Sequence, residues 1–181
     1  VLWRQMGLEK RAEEAYCEVA RLRPGNQAAL SALEALYRSW GDADLLAEVL
    51  EERALAADSP RDRARLLCAL AEVLEDEGAA ESQVLDAWSR AVAQDPTCIP
   101  ALRALSRLHE ESGRWDEMAE VLELESDAGG DAVRRLLRSL RLASIRRDRL
   151  GDGVGALEVY RSAIATDPGH VPSLQAMESA L

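Results

Sequence analysis

Apolar residues recur along this chain at intervals of three and four: Leu30, Leu33, Leu36 and Tyr37 in one run, Leu102, Leu105 and Leu108 in another. That spacing puts each set on one face of a helix. The runs are short, and each stops at residues that break helices: Pro24-Gly25-Asn26, Gly41-Asp42, Ser59-Pro60, Asp95-Pro96, Gly113, Gly129-Gly130, Gly151-Asp152-Gly153 and Asp167-Pro168-Gly169. The pattern predicts helices at 8–22, 27–40, 43–57, 61–77, 81–94, 99–112, 115–127, 131–149, 153–166 and 171–181. Ser59-Pro60 followed by Asp62 has the order of an N-cap, a first-turn proline and an acidic third position. Pro100 and Pro172 fall in first turns, where a missing N–H costs little. Connections of a few residues fold consecutive helices into antiparallel hairpins.

The pattern also repeats. Asp95-Pro96 and Asp167-Pro168 lie 72 residues apart, as do Pro100 and Pro172, and Leu102 and Leu174. Shifted by 72, "GDADLLAEVLE" at 41–51 lies over "GRWDEMAEVLE" at 113–123, and "VLDAWSRAVAQDP" at 84–96 over "ALEVYRSAIATDP" at 156–168. A period in this range is the mark of stacked building blocks, each needing its neighbours to bury its apolar face. Both ends fit that picture: "VLWRQMG" reads as a helix already under way and "LQAMESAL" stops in mid-helix, so the chain reads as a fragment of a longer protein.

Within these blocks, "GDGVGALEVYRSAIATDP" and "GLEKRAEEAYCEVARLRP" resemble the second helix of a tetratricopeptide repeat, on Gly151, Ala156, Tyr160, Ala163 and Pro168, and on Gly7, Ala12, Tyr16, Val19 and Pro24. Leu30, Leu33, Glu34 and Tyr37 resemble the first-helix pattern. The resemblance implies an all-α fold, a right-handed α-solenoid of stacked antiparallel helix hairpins. It makes residues 1–181 a single array, with repeats at 27–60, 65–98, 99–132 and 137–170 and partial ones at 1–26 and 171–181. Four residues at 61–64 and four at 133–136 complete the period of 72, which predicts an added turn on the helices at 61–77 and 131–149. The chain departs from the pattern at Glu34, Glu72, Ser106 and Ser144, where the family prefers Gly, and at Glu75 and Arg147, where it prefers Tyr. Leu46 and Arg53 stand where two Ala are expected.

Charge narrows the function. Twenty-two basic against 33 acidic residues give −11, which disfavours nucleic acid and anionic lipid. It also counts against the similar pentatricopeptide hairpins, which read RNA. No apolar run approaches 18 residues, so no membrane insertion is expected. Lys10 is the one lysine among the basic residues, a bias that a GC-rich bacterial genome would produce. Cys17, Cys68 and Cys98 lack C-x-x-C spacing and read as free thiols, which fits a cytoplasmic location.

Candidate chemistry is sparse. His109 stands at an aromatic core position and His170 in a turn, while Cys98 and His170 occupy equivalent turns of different repeats, too far apart for a dyad or a zinc site. No glycine-rich phosphate loop is present. The reading is therefore non-catalytic, with no cofactor and no metal.

The family's first helices line a concave groove, and the stripe beside each core stripe supplies the candidate partner-binding residues: Arg38, Leu66, Val73, Arg103, Arg107, Arg138, Arg141 and Ile145. Residues 131–150 hold seven arginines against Asp131 and Asp148, so they serve either an acidic ligand or the glutamates of the preceding helix "WDEMAEVLELESD". Arg103 and Arg107, four apart, are spaced to grip one carboxylate. The function expected is a protein–protein interaction scaffold that binds a peptide or protein, acidic in character, on the concave face. The alternatives are a structural module that self-associates through open array ends and a regulatory arm of a larger multidomain protein.

Overall fold

The computed structural model describes residues 2–128 and 132–166, and among these it contains only helices and their connections. They are α1 (Leu2–Leu22), α2 (Gln27–Trp40), α3 (Ala43–Leu55), α4 (Pro60–Asp76), α5 (Glu81–Gln94), α6 (Ile99–Glu111), α7 (Trp115–Asp127), α8 (Ala132–Asp148) and α9 (Gly153–Thr166). Local chemistry sets the boundaries. Asn26, Asp42 and Ser59 accept the orphan N–H groups of Ala29, Leu45 and Asp62, at 3.0, 3.2 and 3.0 Å. Gly41 and Gly113, 72 residues apart, end α2 and α6 at φ of 70° and 68°, a conformation that costs other residues steric strain.

The chain divides into two compact units, Val1–Asp95 with α1 to α5 and Pro96–Leu181 with α6 to α9. Inside each unit every helix packs against the next, as antiparallel hairpins require. In the first unit Leu30, Leu50, Leu67 and Ala71 are buried completely or nearly so. In the second, Met118, Ala119, Leu122, Leu142 and Ile145 form one apolar cluster, against which Trp115, Leu150 and Val159 pack. A second cluster joins Ala143 of α8 to Ala156 and Tyr160 of α9, so the small residues bring the helices together and the tyrosine fills the space between them.

The added turn is present: α4 and α8 each have 17 residues, against 14 in α2 and 13 in α6. At its start the chain differs from the expectation. Helix α1 runs unbroken from Leu2 through Gly7 rather than beginning at residue 8. Gly7 has no positive φ and open space where a Cβ would stand, so it costs the helix only its low propensity, about 1 kcal/mol against alanine. The helix expected at 171–181, the turn with Pro168 and His170, and Gly129-Gly130 lie outside the described residues.

Two further details show how context acts on one sequence position. Tyr16, Trp88 and Tyr160 are equivalent under the shift of 72; Trp88 and Tyr160 are buried, whereas Tyr16 on α1 remains 38% exposed. Glu34 and Arg53, at positions where small residues are expected, form an ion pair between α2 and α3, with side chains only 18% and 15% exposed. Burial, and after it the neighbouring Arg65, pulls the Arg53 guanidinium below its ordinary pKa.

Candidate functional site

The site grows from one face of α6. Ala101, Leu102, Leu105 and Leu108 turn into the core, which leaves Pro100, Arg103, Arg107 and Glu110 as an exposed stripe at helical spacing. Across from it, α8 buries Leu136, Leu142, Ala143 and Ile145 and presents Arg138 and Arg141. The last turns of α7 contribute Glu125. Between them lies an open hollow of about 380 Å³, lined by Arg103, Ser106, Arg107 and Glu110 of α6, Leu122 and Glu125 of α7, and Leu137, Arg138 and Arg141 of α8.

Two kinds of arginine meet there. Arg138 is 11% exposed, approaches the Glu125 carboxylate at 3.0 Å through Nε, and donates through Nη1 to the Glu125 carbonyl at 3.0 Å. Glu125 itself is 8% exposed, so this pair belongs to the packing. Arg103, Arg107 and Arg141 are 59%, 47% and 46% exposed. Arg103 comes only to 3.6 Å from Glu125, Arg107 reaches Glu111 one turn along its own helix at 3.4 Å, and Arg141 donates to Glu110 at 2.6 Å. All three are about half exposed, and each has a carboxylate within 4 Å. Beneath them Ser106 is 5% exposed, and its hydroxyl has no hydrogen-bond partner among the described residues.

The remaining arginines of α8 are mostly structural. Arg146 pairs with Glu123 of α7, and Arg149, just past the end of α8, lies over the Trp115 ring at 4.6 Å. Arg147 bonds its neighbour Asp148 and holds that carboxyl below its ordinary pKa. Arg138 and Arg146 thus neutralise glutamates of α7, while Arg103, Arg107 and Arg141 remain about half exposed.

Of the eight residues expected to face a partner, Arg103, Arg107, Arg138 and Arg141 share this hollow. Arg38 lies in the first unit, 58% exposed and bonded to Glu34 at 3.0 Å; Val73 is half-buried on α4. Leu66 and Ile145 are 4% and 6% exposed and offer a partner no surface. Helices α4 and α8 each pack against the helix before and the helix after them, so their buried arc spreads into the stripe assigned to the groove. Sequence reasoning overlooked Glu125 as part of the site and treated Ser106 only as a departure from the repeat pattern. Among the described residues no group of three or more His, Cys, Asp or Glu side chains is placed to hold a metal, and no helix is long and apolar enough to cross a membrane. Cys68 is buried and Cys17 exposed, and no disulfide joins the cysteines among the described residues.

A profile of the tetratricopeptide repeat matches residues 101–132, the segment that holds α6 and α7. The fold of the chain is similar to that of YrrB, a tetratricopeptide protein described as having an unusual peptide-binding site: TM-score 0.50, 17% identity, covering 98% of this chain and 87% of that one. Residues 101–132 thus match a tetratricopeptide repeat, and the fold is that of stacked helix hairpins. A MamA structure is also similar, at TM-score 0.49 and 20% identity over 91% of this chain and 92% of that one. No curated protein matches the sequence.

Proposed function

We propose that the chain is a non-catalytic interaction scaffold that holds an acidic peptide or protein segment on the concave, first-helix side of its second unit, with Arg103, Arg107 and Arg141 reading the charge. One observation carries this reading. Under the shift of 72 these arginines correspond to Ser31, Ala35 and Ala69 of the first unit, which builds the same hairpins from small, uncharged residues. The repeat folds without them. Surface ion pairs contribute about 0.2–1 kcal/mol each, a weak reason to gather three half-exposed guanidiniums around one hollow. Fork-shaped donors, by contrast, suit carboxylates and phosphates well. Leu137, 59% exposed beside them, offers an apolar anchor next to the charge. That YrrB has a peptide-binding site is consistent with this use of the fold.

The test is a selection of displayed peptides on the 181-residue chain, followed by affinity measurement on the chain and on R103E/R107E/R141E. Arg138 stays unchanged, since its loss would strand Glu125. Selected peptides should be rich in Asp and Glu and should lose at least about ten-fold in affinity for the reversed variant, with helicity intact. Equal affinity for both proteins would remove the arginines from the binding surface.

A further inference from the structure

Helix α1 carries an apolar face that is left largely uncovered among the described residues. Leu8, Ala12, Ala15, Val19 and Leu22 follow one another at intervals of four, three, four and three. That spacing aligns them on one side of the helix, over a length of about 21 Å. Leu8, Val19 and Leu22 are 66%, 39% and 64% exposed, and Tyr16 borders them. Helix α2 holds a different side of α1: Trp40 donates to Glu9 at 3.1 Å, and the Tyr37 hydroxyl donates to Glu13 at 3.2 Å. Under the shift of 72, the equivalent faces of α5 and α9 are closed. Val84, Ala87, Trp88 and Ala91 are buried on α5, which packs against α4, and Ala156, Tyr160 and Ala163 are buried on α9 against α8. An apolar stripe of this extent, left open, marks a surface for association.

The charges beside the stripe indicate what covers it. Arg11 and Glu18 flank it on one side, seven residues apart and both exposed. At the equivalent positions α5 has Gln83 and Arg90, the latter paired with Glu51 of α3, and α9 has Gly155 and Ser162. The opposed pair is thus peculiar to α1 and no part of the packing that α4 and α8 supply to their neighbours. Going beyond the acidic-segment reading, we infer that α1 pairs antiparallel with α1 of a second copy of this chain, about a two-fold axis. Such a contact must be complementary to itself. Each Arg11 lies beside Glu18 of the second copy, so one opposed pair serves twice, as charges flanking the seam of paired helices do. Leu8 packs against Val19 of the second copy, and Ala12 against Ala15, whose small side chains let the backbones approach. A parallel pairing holds Arg11 and Glu18 about 10 Å apart along the axis, so charge also selects the direction. Glu18 is bonded by Arg21 of its own helix at 2.6 Å, but the two side chains are 53% and 69% exposed, which leaves the carboxylate within reach of a second cation.

The experiment is sedimentation equilibrium of the 181-residue chain, under reducing conditions because Cys17 is exposed. The chain should follow a monomer–dimer equilibrium between roughly 1 µM and 1 mM, the range open to a contact of small extent. V19E places an unpaired charge in the contact and should weaken dimerisation at least about ten-fold. Its helicity by circular dichroism should be unchanged, since the position is partly exposed in the single chain. R11E and E18R each set like charges together, and each should dimerise at least about ten-fold more weakly. Mixed in equal amounts, these two variants should recover the affinity of the unchanged chain, because in the mixed dimer every flanking charge meets its opposite. R103E/R107E/R141E should dimerise as the unchanged chain does, which keeps this result separate from the acidic-segment reading. A chain that stays monomeric throughout, or a V19E dimer as tight as the unchanged one, overturns the pairing. A mixture no tighter than R11E or E18R alone overturns the antiparallel arrangement. Loss of the dimer in R103E/R107E/R141E would move the contact to the second unit and overturn the proposal as well.

Discussion

Replacing Arg138 by methionine tests whether the pair beneath the hollow is structural. Methionine keeps most of the stem and removes the guanidinium, which approaches the Glu125 carboxylate at 3.0 Å and donates to the Glu125 carbonyl at 3.0 Å. Both side chains are nearly buried, at 11% and 8% exposure. Removing one partner of a buried pair costs about 3–5 kcal/mol, because the other charge is left without compensation. Arg103 remains 3.6 Å from Glu125 and retains part of the attraction, so the lower end, about 3 kcal/mol, is expected. Arg141→Met is the control: it removes a pair 46% and 49% exposed, and should cost no more than about 1 kcal/mol. Urea unfolding followed through amide resonances of α7 and α8 reads the second unit by itself. Adding Glu125→Gln to Arg138→Met should recover part of the loss, with a coupling of at least about 1 kcal/mol. If Arg138→Met costs no more than Arg141→Met, the division into a structural and a ligand-facing set of arginines is wrong.

Other expectations follow from the same geometry. Tyr160→Ala should destabilise by about 3–5 kcal/mol, since it empties a filled space between α8 and α9, whereas Tyr16→Ala at the equivalent but exposed position should cost less than about 1 kcal/mol in the same urea titration. Arg63 donates to the Ala54 and Ala57 carbonyls at 3.1 and 3.0 Å and to Gln94 at 2.9 Å; Arg63→Ala should cost about 1–3 kcal/mol and speed amide exchange at the end of α3. Burial, a hydrogen bond with Cys17 and the charges of Cys17 and Glu13 raise the Tyr37 phenol above its ordinary pKa of 10.0. A raised folded value means that its contribution to stability is complete below pH 10 and is lost as the pH climbs toward that folded value. Tyr37→Phe should therefore flatten the alkaline fall in the urea midpoint of the first unit, and an unchanged fall would refute the assignment.

The periodic pattern was enough to place α2, α5, α7 and α9 at their observed bounds, because helix ends here are written in local chemistry: Asn26 at a start, Gly41 and Gly113 at ends. The added turn of α4 and α8 was legible from the four-residue remainder in the period. Leu66 and Ile145 were not, since a row-by-row assignment gives each helix face a single role, and a helix with neighbours on both sides buries more than one row. The beginning of α1 was misread because the second-helix resemblance starts at Gly7, whereas the helix continues through it without a positive φ.

The site itself was half legible. Convergence of Arg103, Arg107, Arg138 and Arg141 followed from helix spacing and hairpin order alone. What spacing cannot express is which arginine is consumed by packing, because that depends on the residue across the gap. The signal was present in the shift of 72, which lays Glu34 over Ser106, Arg53 over Glu125 and Leu66 over Arg138. Read as a set, these exchanges move a buried ion pair from within one hairpin to between two, and shorten the side chain at its former place. A repeat that moves its internal charges in this way keeps its fold while changing which arginines the packing consumes. In a duplicated scaffold, a coupled exchange of buried charges between the copies therefore tells which arginines are structural, as counting arginines singly does not.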